Sequence, residues 1–179
     1  MKVVIDTCVL YPTVMREVLL SVARTGAFVP MWSGRILEEW ARAARKIGPT
    51  GEAQARAEIA MLRAAWPDAE VTLPEGVMAR LWLPDDDDIH VLAAAVTASA
   101  EAILTVNAKD FPRNILAEEG VQRFDPDSFL MTLWQKDAGA VEEASHAVLT
   151  QAREMSDSGW DMRPLLKKAR LPRLAKALG

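Results

Sequence analysis

Short apolar runs alternate along this chain with longer stretches of helical spacing. Residues 2–6 are β-branched and apolar on both faces and end in an acid, which predicts a short buried strand. Val14, Val18 and Val22, with Leu19, recur at helical spacing over Thr13–Arg24, and Gly26 stops that helix. Residues 27–31 read as a second strand weakened by Pro30, and Ser33 as the cap of a helix running to about residue 46. After the turn 48–51 the pattern predicts a helix over 52–65, a short strand over 70–73 and a short helix from Pro74 to about Trp82. Residues 89–100 are apolar nearly all round, as in a buried helix. Residues 102–106 and 121–124 are two more strand candidates, and Asp125-Pro126 opens a helix with Asp at N-cap and Pro at N1. Beyond about residue 138 the pattern is helical only. Strands alternating with helices in this way predict an α/β fold with a parallel sheet between helical layers, followed by a helical C-terminal extension.

Composition narrows the class. The 179 residues are 50% hydrophobic and 26% charged, ordinary for a globular chain, and the longest apolar stretch free of charge, 89–100, is too short to span a bilayer. Asp6 interrupts the first apolar run, so no signal peptide is expected. The single cysteine, Cys8, excludes an internal disulfide and a cysteine-built zinc site, and a cytoplasmic protein is the expectation. The net charge of −4 hides an asymmetry. Arg163, Lys167, Lys168, Arg170, Arg173 and Lys176 crowd the last 17 residues without one acid, which leaves residues 1–162 at −10. The tail either packs on its own acidic domain, or is simply solvated, or supplies contacts to a polyanion that the acidic body lacks.

In an open parallel sheet, ligands bind at the carboxyl ends of the strands. Asp6 ends the first strand, Asn107 and Asp110 follow the strand over 102–106, and Asp85, Asp86, Asp87 and Asp88 precede the buried helix. Any one of these acids reads as a turn or cap residue; their joint placement points to one edge. Glu38 shares a helical row with Arg42 and Arg45, a solvated arrangement. Glu39 lies instead with Ile36, Trp40 and Ala43 on the stripe that faces the core, where a carboxylate needs an arginine or a metal to compensate it. Packing so many carboxylates at one edge would raise their pKa values by like-charge repulsion unless a cation is present, and oxygen donors suit Mg²⁺ or Mn²⁺. His90 reads as a packed or partly exposed helix residue, Cys8 as a buried thiol, and Trp32, Trp40 and Trp82 as core residues.

These residues, taken in order, resemble the PIN-domain ribonucleases. Val3-Val4-Ile5-Asp6-Thr7 is similar to the family's opening motif, and Ile36-Leu37-Glu38-Glu39-Trp40 to its second acidic motif, with Glu39 at the matching acid. The run from Leu83 through Asp88 to Ala95 resembles the third, with Asp88 at the best spacing and Asp87 next. Thr105-Val106-Asn107-Ala108-Lys109-Asp110-Phe111-Pro112 resembles the fourth, and Asp125-Pro126-Asp127-Ser128-Phe129-Leu130 the close of the domain. Cys8 stands where the family often has a polar residue that orients the first acid. The resemblance covers about residues 1–132. It implies a three-layer α/β/α nuclease domain around a central parallel sheet, with 138–179 as a helical extension like that of some VapC-type toxins.

The resemblance also implies metal-dependent hydrolysis of RNA phosphodiester bonds. Asp6, Glu39, Asp88 and Asp110 would hold Mg²⁺ or Mn²⁺, Asp87 is a further ligand candidate, and Thr7 and Asn107 would orient substrate. A tRNA or rRNA substrate, a small VapB-like antitoxin and a homodimer are the implied partners, with no membrane. The basic tail from Arg163 to Lys176 is the candidate RNA-binding segment. A PIN-like adaptor that binds RNA without cutting, and a metal-dependent phosphatase, are the alternatives; the phosphatase needs an acid at position 8, which is Cys8. The helical rows give a direct test. Glu39→Gln is expected to cost far more nuclease activity than Glu38→Gln in a cleavage assay; the reverse ranking would mean a helix rotated by about 100°.

Overall fold

The computed structural model describes residues 1–157 and 159–179. It contains a five-stranded sheet in the order β3-β2-β1-β4-β5, built from β1 (Lys2–Ile5), β2 (Val29–Ser33), β3 (Glu70–Val71), β4 (Ala102–Leu104) and β5 (Gln122–Phe124). β1 runs parallel to β2 with Val4 opposite Met31, and parallel to β4 with Val4 opposite Ile103. Val3, Val4 and Ile5 are buried on both faces, which is why that strand is apolar at every position. Pro30 is tolerated inside β2 because β3 reaches only Trp32 and Ser33, so β2 is a sheet edge at the proline.

The chain forms two compact units. The first comprises Met1–Tyr11 and Val29–Arg123. It contains α1 (Thr7–Leu10), α3 (Gly34–Ala43), α4 (Gly51–Ala65), α5 (Ile89–Ala98) and α6 (Arg113–Glu118). Ser33 caps α3 as expected, its hydroxyl accepting from Ile36 N at 3.2 Å. The helix closes at Ala43 and continues as a 3₁₀ turn over Ala44–Ile47, shorter than the helical pattern suggests. That turn takes Arg45 off the row of Glu38: Arg45 pairs with Glu52, and Glu38 pairs with Arg42 and Arg56. α5 is buried from Ile89 to Ala95, and its alanines 93–95 let it lie close against β1, β2 and β4. The expected strand at 70–73 is only two residues long, and the expected helix after Pro74 is a 3₁₀ turn over Val77–Arg80. α1 and α6 are too short to leave a periodic trace and were not expected from the pattern.

The second unit comprises Pro12–Phe28 and Phe124–Gly179. In it α2 (Thr13–Arg24) packs on α8 (Ala138–Met155), with α7 (Pro126–Lys136), α9 (Met162–Lys168) and α10 (Pro172–Leu178) completing the cluster. Phe129 of α7 meets Phe28 edge-on at 5.1 Å between centroids and Phe124 at 5.6 Å. Asp125 caps α7 with Pro126 at its first turn, as the sequence indicates. The tail is docked by its apolar side: Leu165, Leu166, Leu171, Leu174 and Ala175 are buried. All six basic residues of the tail are exposed. Among the described residues no helix is long and apolar enough to cross a membrane.

One carboxylate fixes the last helix. Asp127 is 6% exposed, and its two oxygens accept from Arg173 N at 2.9 Å and Leu174 N at 3.1 Å, satisfying free amides at the start of α10. Asp127→Ala is expected to lower the free energy of unfolding by about 1–2 kcal/mol, read from urea denaturation, and Asp127→Asn by less because one acceptor remains.

Candidate active site

The sheet order reverses direction between β1 and β4, and ligands in such sheets bind outside the strand ends at that point. Asp6 stands there. Its backbone N–H donates to Leu104 O at 3.0 Å, which ties the end of β1 to the end of β4. Its carboxylate is 6% exposed and takes three donors. Thr7 N lies 2.7 Å from Oδ1, and Thr105 Oγ1 and Cys8 Sγ lie 2.8 and 3.2 Å from Oδ2. Burial and the Asp6 charge push the Cys8 thiol up to about 12, so it keeps the proton it donates. The thiol thus takes up a polar role at position 8, orienting Asp6 while accepting from Val106 N at 3.4 Å.

The loop after β4 carries the next acid. Thr105 Oγ1 accepts from Asn107 N at 3.0 Å, and the Asn107 amide uses its Nδ2 to donate to Asp110 Oδ2 at 2.7 Å and Asp88 Oδ2 at 3.3 Å. From β5, Arg123 Nη1 clamps the same loop through Ala108 O at 2.7 Å and Phe111 O at 2.8 Å. Asp85 caps the 3₁₀ turn over Asp86–Asp88 by accepting from Asp87 N. The result is a cluster in which Asp85, Asp88 and Asp110 each offer a carboxylate oxygen, all within 4.8 Å of one another. Asp88 records the crowding. Burial, then the charges of Asp6, Asp85 and Asp110, push its carboxyl from 3.8 up to about 6.

Glu39 is handled differently. Its Oε1 lies 2.8 Å from His90 Nε2 and 3.4 Å from Arg35 Nε, and its Oε2 lies 3.3 Å from Thr7 Oγ1, a hydroxyl that also reaches Ile36 O at 3.0 Å. The histidine contact is close but poorly directed, and neither ring nitrogen makes a well-aligned hydrogen bond. Burial raises the Glu39 carboxyl, but His90, Arg35 and Thr7 outweigh it and hold it below the ordinary value. Glu38 is anchored by Arg56 and Arg42, which lower it to about 2.

Of the acids picked out in the sequence, the structure brings Asp88 and Asp110 together, with Asp6 close enough to shift Asp88. Glu39 is paired with Arg35 and His90. The side chain of Asp87 is 93% exposed and meets Arg35 rather than the cluster, whereas Asp85, which sequence spacing had not selected, joins it. The signal for Asp85 was its place as cap of the 3₁₀ turn, invisible until that turn is known. His90 is fully buried, so it is a packed residue with no exposed part. Trp32 and Trp40 are core residues, but Trp82 is 59% exposed. It lies in an extended segment whose neighbours Leu81 and Leu83 point inward, so alternation turns it out.

The oxygen-only donors at Asp85, Asp88 and Asp110 fit a hard divalent cation. A family model described as PIN domain matches residues 2–109. The chain belongs to the PIN-domain family. It is also similar to a protein of Mycobacterium tuberculosis named "Putative ribonuclease VapC50", 33% identical over 111 residues that cover 56% of this chain and 63% of that protein. The match therefore spans less than two thirds of the relative's own length. No solved structure matches the chain.

The acid cluster makes the stability of this PIN domain depend on pH. Asp88 holds its proton more tightly in the fold than at the ordinary 3.8, so its stabilising contribution is fully present below about pH 3.8 and is lost as pH rises through about 6. In chelator, Asp88→Asn is expected to flatten that part of the profile and to raise the thermal midpoint at pH 7 above wild type. A lower midpoint at pH 7 would show that burial and like charge are not acting on this group.

Proposed function

We propose that this chain is a divalent-cation-dependent endoribonuclease acting as the toxin of a VapBC-type pair, with tRNA or rRNA as substrate. The observation that carries the reading is the cluster of Asp85, Asp88 and Asp110 beside Asp6 at the strand ends of a PIN domain. Mg²⁺ or Mn²⁺ bound there would activate water and offset charge on the phosphodiester. Asp85, Asp88 and Asp110 would hold it, with Asp6 and Glu39 completing the acidic site; our reading leaves out Asp87, the further ligand candidate of the sequence, because its exposed side chain meets Arg35. Thr105 and Cys8 keep Asp6 in one orientation, and Asn107 keeps Asp88 and Asp110 within reach of a single ion. Thr7 supports Glu39. In this reading Thr7 and Asn107 position carboxylates first and substrate second.

The nuclease region is taken as 1–132 and the helical extension as 138–179. The exposed cations Arg163, Lys167, Lys168, Arg170, Arg173 and Lys176 would give the RNA backbone contacts that the acidic body lacks. A small VapB-like antitoxin, an isologous homodimer and a cytoplasmic location complete the proposal.

Cleavage of a total tRNA pool is the test. Wild type is expected to cut in Mg²⁺ or Mn²⁺ and to stop in chelator. Asp6→Asn, Asp88→Asn and Asp110→Asn are each expected to abolish cutting while the far-ultraviolet circular dichroism stays native. Cutting at the wild-type rate by Asp6→Asn would refute the mechanism.

A further inference from the structure

Arg35, at the start of α3, is a cation that the acidic motifs draw no attention to. Its side chain is 44% exposed. Its Nε lies 3.4 Å from Glu39 Oε1, and its Nη2 lies 3.4 Å from Asp87 O and 3.8 Å from Asp87 Oδ1. Every one of these contacts is longer than the roughly 2.7–2.9 Å of a formed charge-assisted bond. Other arginines of the same unit are engaged firmly. Arg56 grips both oxygens of Glu38 at 2.9 Å and Glu52 at 2.7 Å. Arg63 holds Glu70 at 2.6 and 2.9 Å, and Arg80 holds Glu119 at 2.9 and 3.0 Å. Those guanidinium groups have found a matching carboxylate; Arg35 hovers between two and matches neither.

The chemistry beside it explains what such a group is suited to. Asp6, Glu39, Asp85, Asp87, Asp88 and Asp110 present negative charge to a substrate that is itself a polyanion. A guanidinium has a planar fork of donors that fits the two free oxygens of a phosphodiester. Exposed ion pairs of poor geometry contribute little, so exchanging Glu39 and Asp87 for a phosphate costs the fold little. An arginine serving only to offset charge would do so best in the tight bidentate pairing that its neighbours show.

We propose that Arg35 is a phosphate-binding residue of this site, releasing its loose contacts to Glu39 and Asp87 and closing its guanidinium on the RNA backbone beside the carboxylate cluster. The proposal rests on the ribonuclease reading above. It is tested with Arg35→Met and Arg35→Lys, whose folding is checked by thermal midpoint. Binding is read by the anisotropy of a fluorescein-labelled single-stranded RNA oligomer in Ca²⁺ at several salt concentrations. Mn²⁺ affinity is read separately by calorimetry. Arg35→Met is expected to weaken RNA binding about tenfold and to reduce the slope of log K against log salt by about 0.7, the loss of one phosphate contact on a single strand. Arg35→Lys keeps the slope, because the charge remains, at an affinity between the two. Mn²⁺ affinity of Arg35→Met equals or exceeds wild type, since Glu39 and Asp87 lose a cation. A folded Arg35→Met with wild-type RNA affinity and slope overturns the proposal while wild type still cuts tRNA. A wild type that neither binds nor cuts RNA in Mg²⁺ or Mn²⁺ removes the ribonuclease reading, and the clamp with it.

Discussion

Three donors converge on the carboxylate of Asp6, and the rest of the site hangs from that arrangement. Thr7 N belongs to the helix that Asp6 caps, Cys8 Sγ follows one residue later, and Thr105 Oγ1 arrives from the neighbouring strand end. The backbone bond from Asp6 N to Leu104 O sets the register between β1 and β4 that brings Thr105 within reach. Thr105 then receives Asn107 N, and Asn107 divides its amide between Asp110 and Asp88. One continuous chain of hydrogen bonds therefore links the first acid to the last. Like charges would otherwise drive these loops apart, and the elevated Asp88 carboxyl shows that repulsion and burial are only partly relieved.

The acids divide into two electrostatic classes. Glu38 and Glu39 have cationic or imidazole partners and sit below their ordinary range. Among the described residues no lysine or arginine forms an ion pair with Asp85, Asp88 or Asp110, and Asp88 sits above its range. A carboxylate gripped by two arginines, as Glu38 is, is neutralised within the protein, whereas a cluster without such partners leaves negative charge that a cation can offset. This division, rather than the count of acids, is what supports the proposed cation site, and Arg35, loosely held by Glu39 and Asp87, is the guanidinium proposed to face an anion.

The basic tail also has two aspects. Its leucines are buried and the first helical turn of α10 is held by Asp127, so the segment is an integral part of its unit. Deleting it would expose that apolar surface. Its six cations nonetheless face solvent, so docking and polyanion binding are compatible: one side of the helices packs while the other remains available.

Much of this was legible in the sequence because it is local. The caps at Ser33 and Asp125, Thr13–Arg24 as a helix, the all-round burial of α5 and the strands ending in Asp6 and before Asn107 follow from residue type and spacing within a few positions. The pairing of Glu38 with Arg42 is of the same kind, since a helix fixes which side chains share a row; that Arg56 also grips Glu38, leaving Glu39 with His90 and a loose Arg35, is not. Other features depended on where the chain turns. A 3₁₀ turn at Ala44–Ile47 moved Arg45 to Glu52, and another at Asp86–Asp88 placed Asp85 and Asp88 in the cluster and left Asp87 outside it. Trp82 faces solvent because its segment is extended rather than helical. The contacts of Cys8 with Val106, of Thr105 with Asp6 and of Arg123 with Ala108 join residues far apart in the chain and exist only once β1, β4 and β5 are adjacent. The sequence alone determined which residues could carry charge to the sheet edge, because periodicity and capping act over one or two turns. The tertiary structure alone decided which carboxylates remain unpaired, because pairing depends on distances of a few ångströms between segments up to a hundred residues apart.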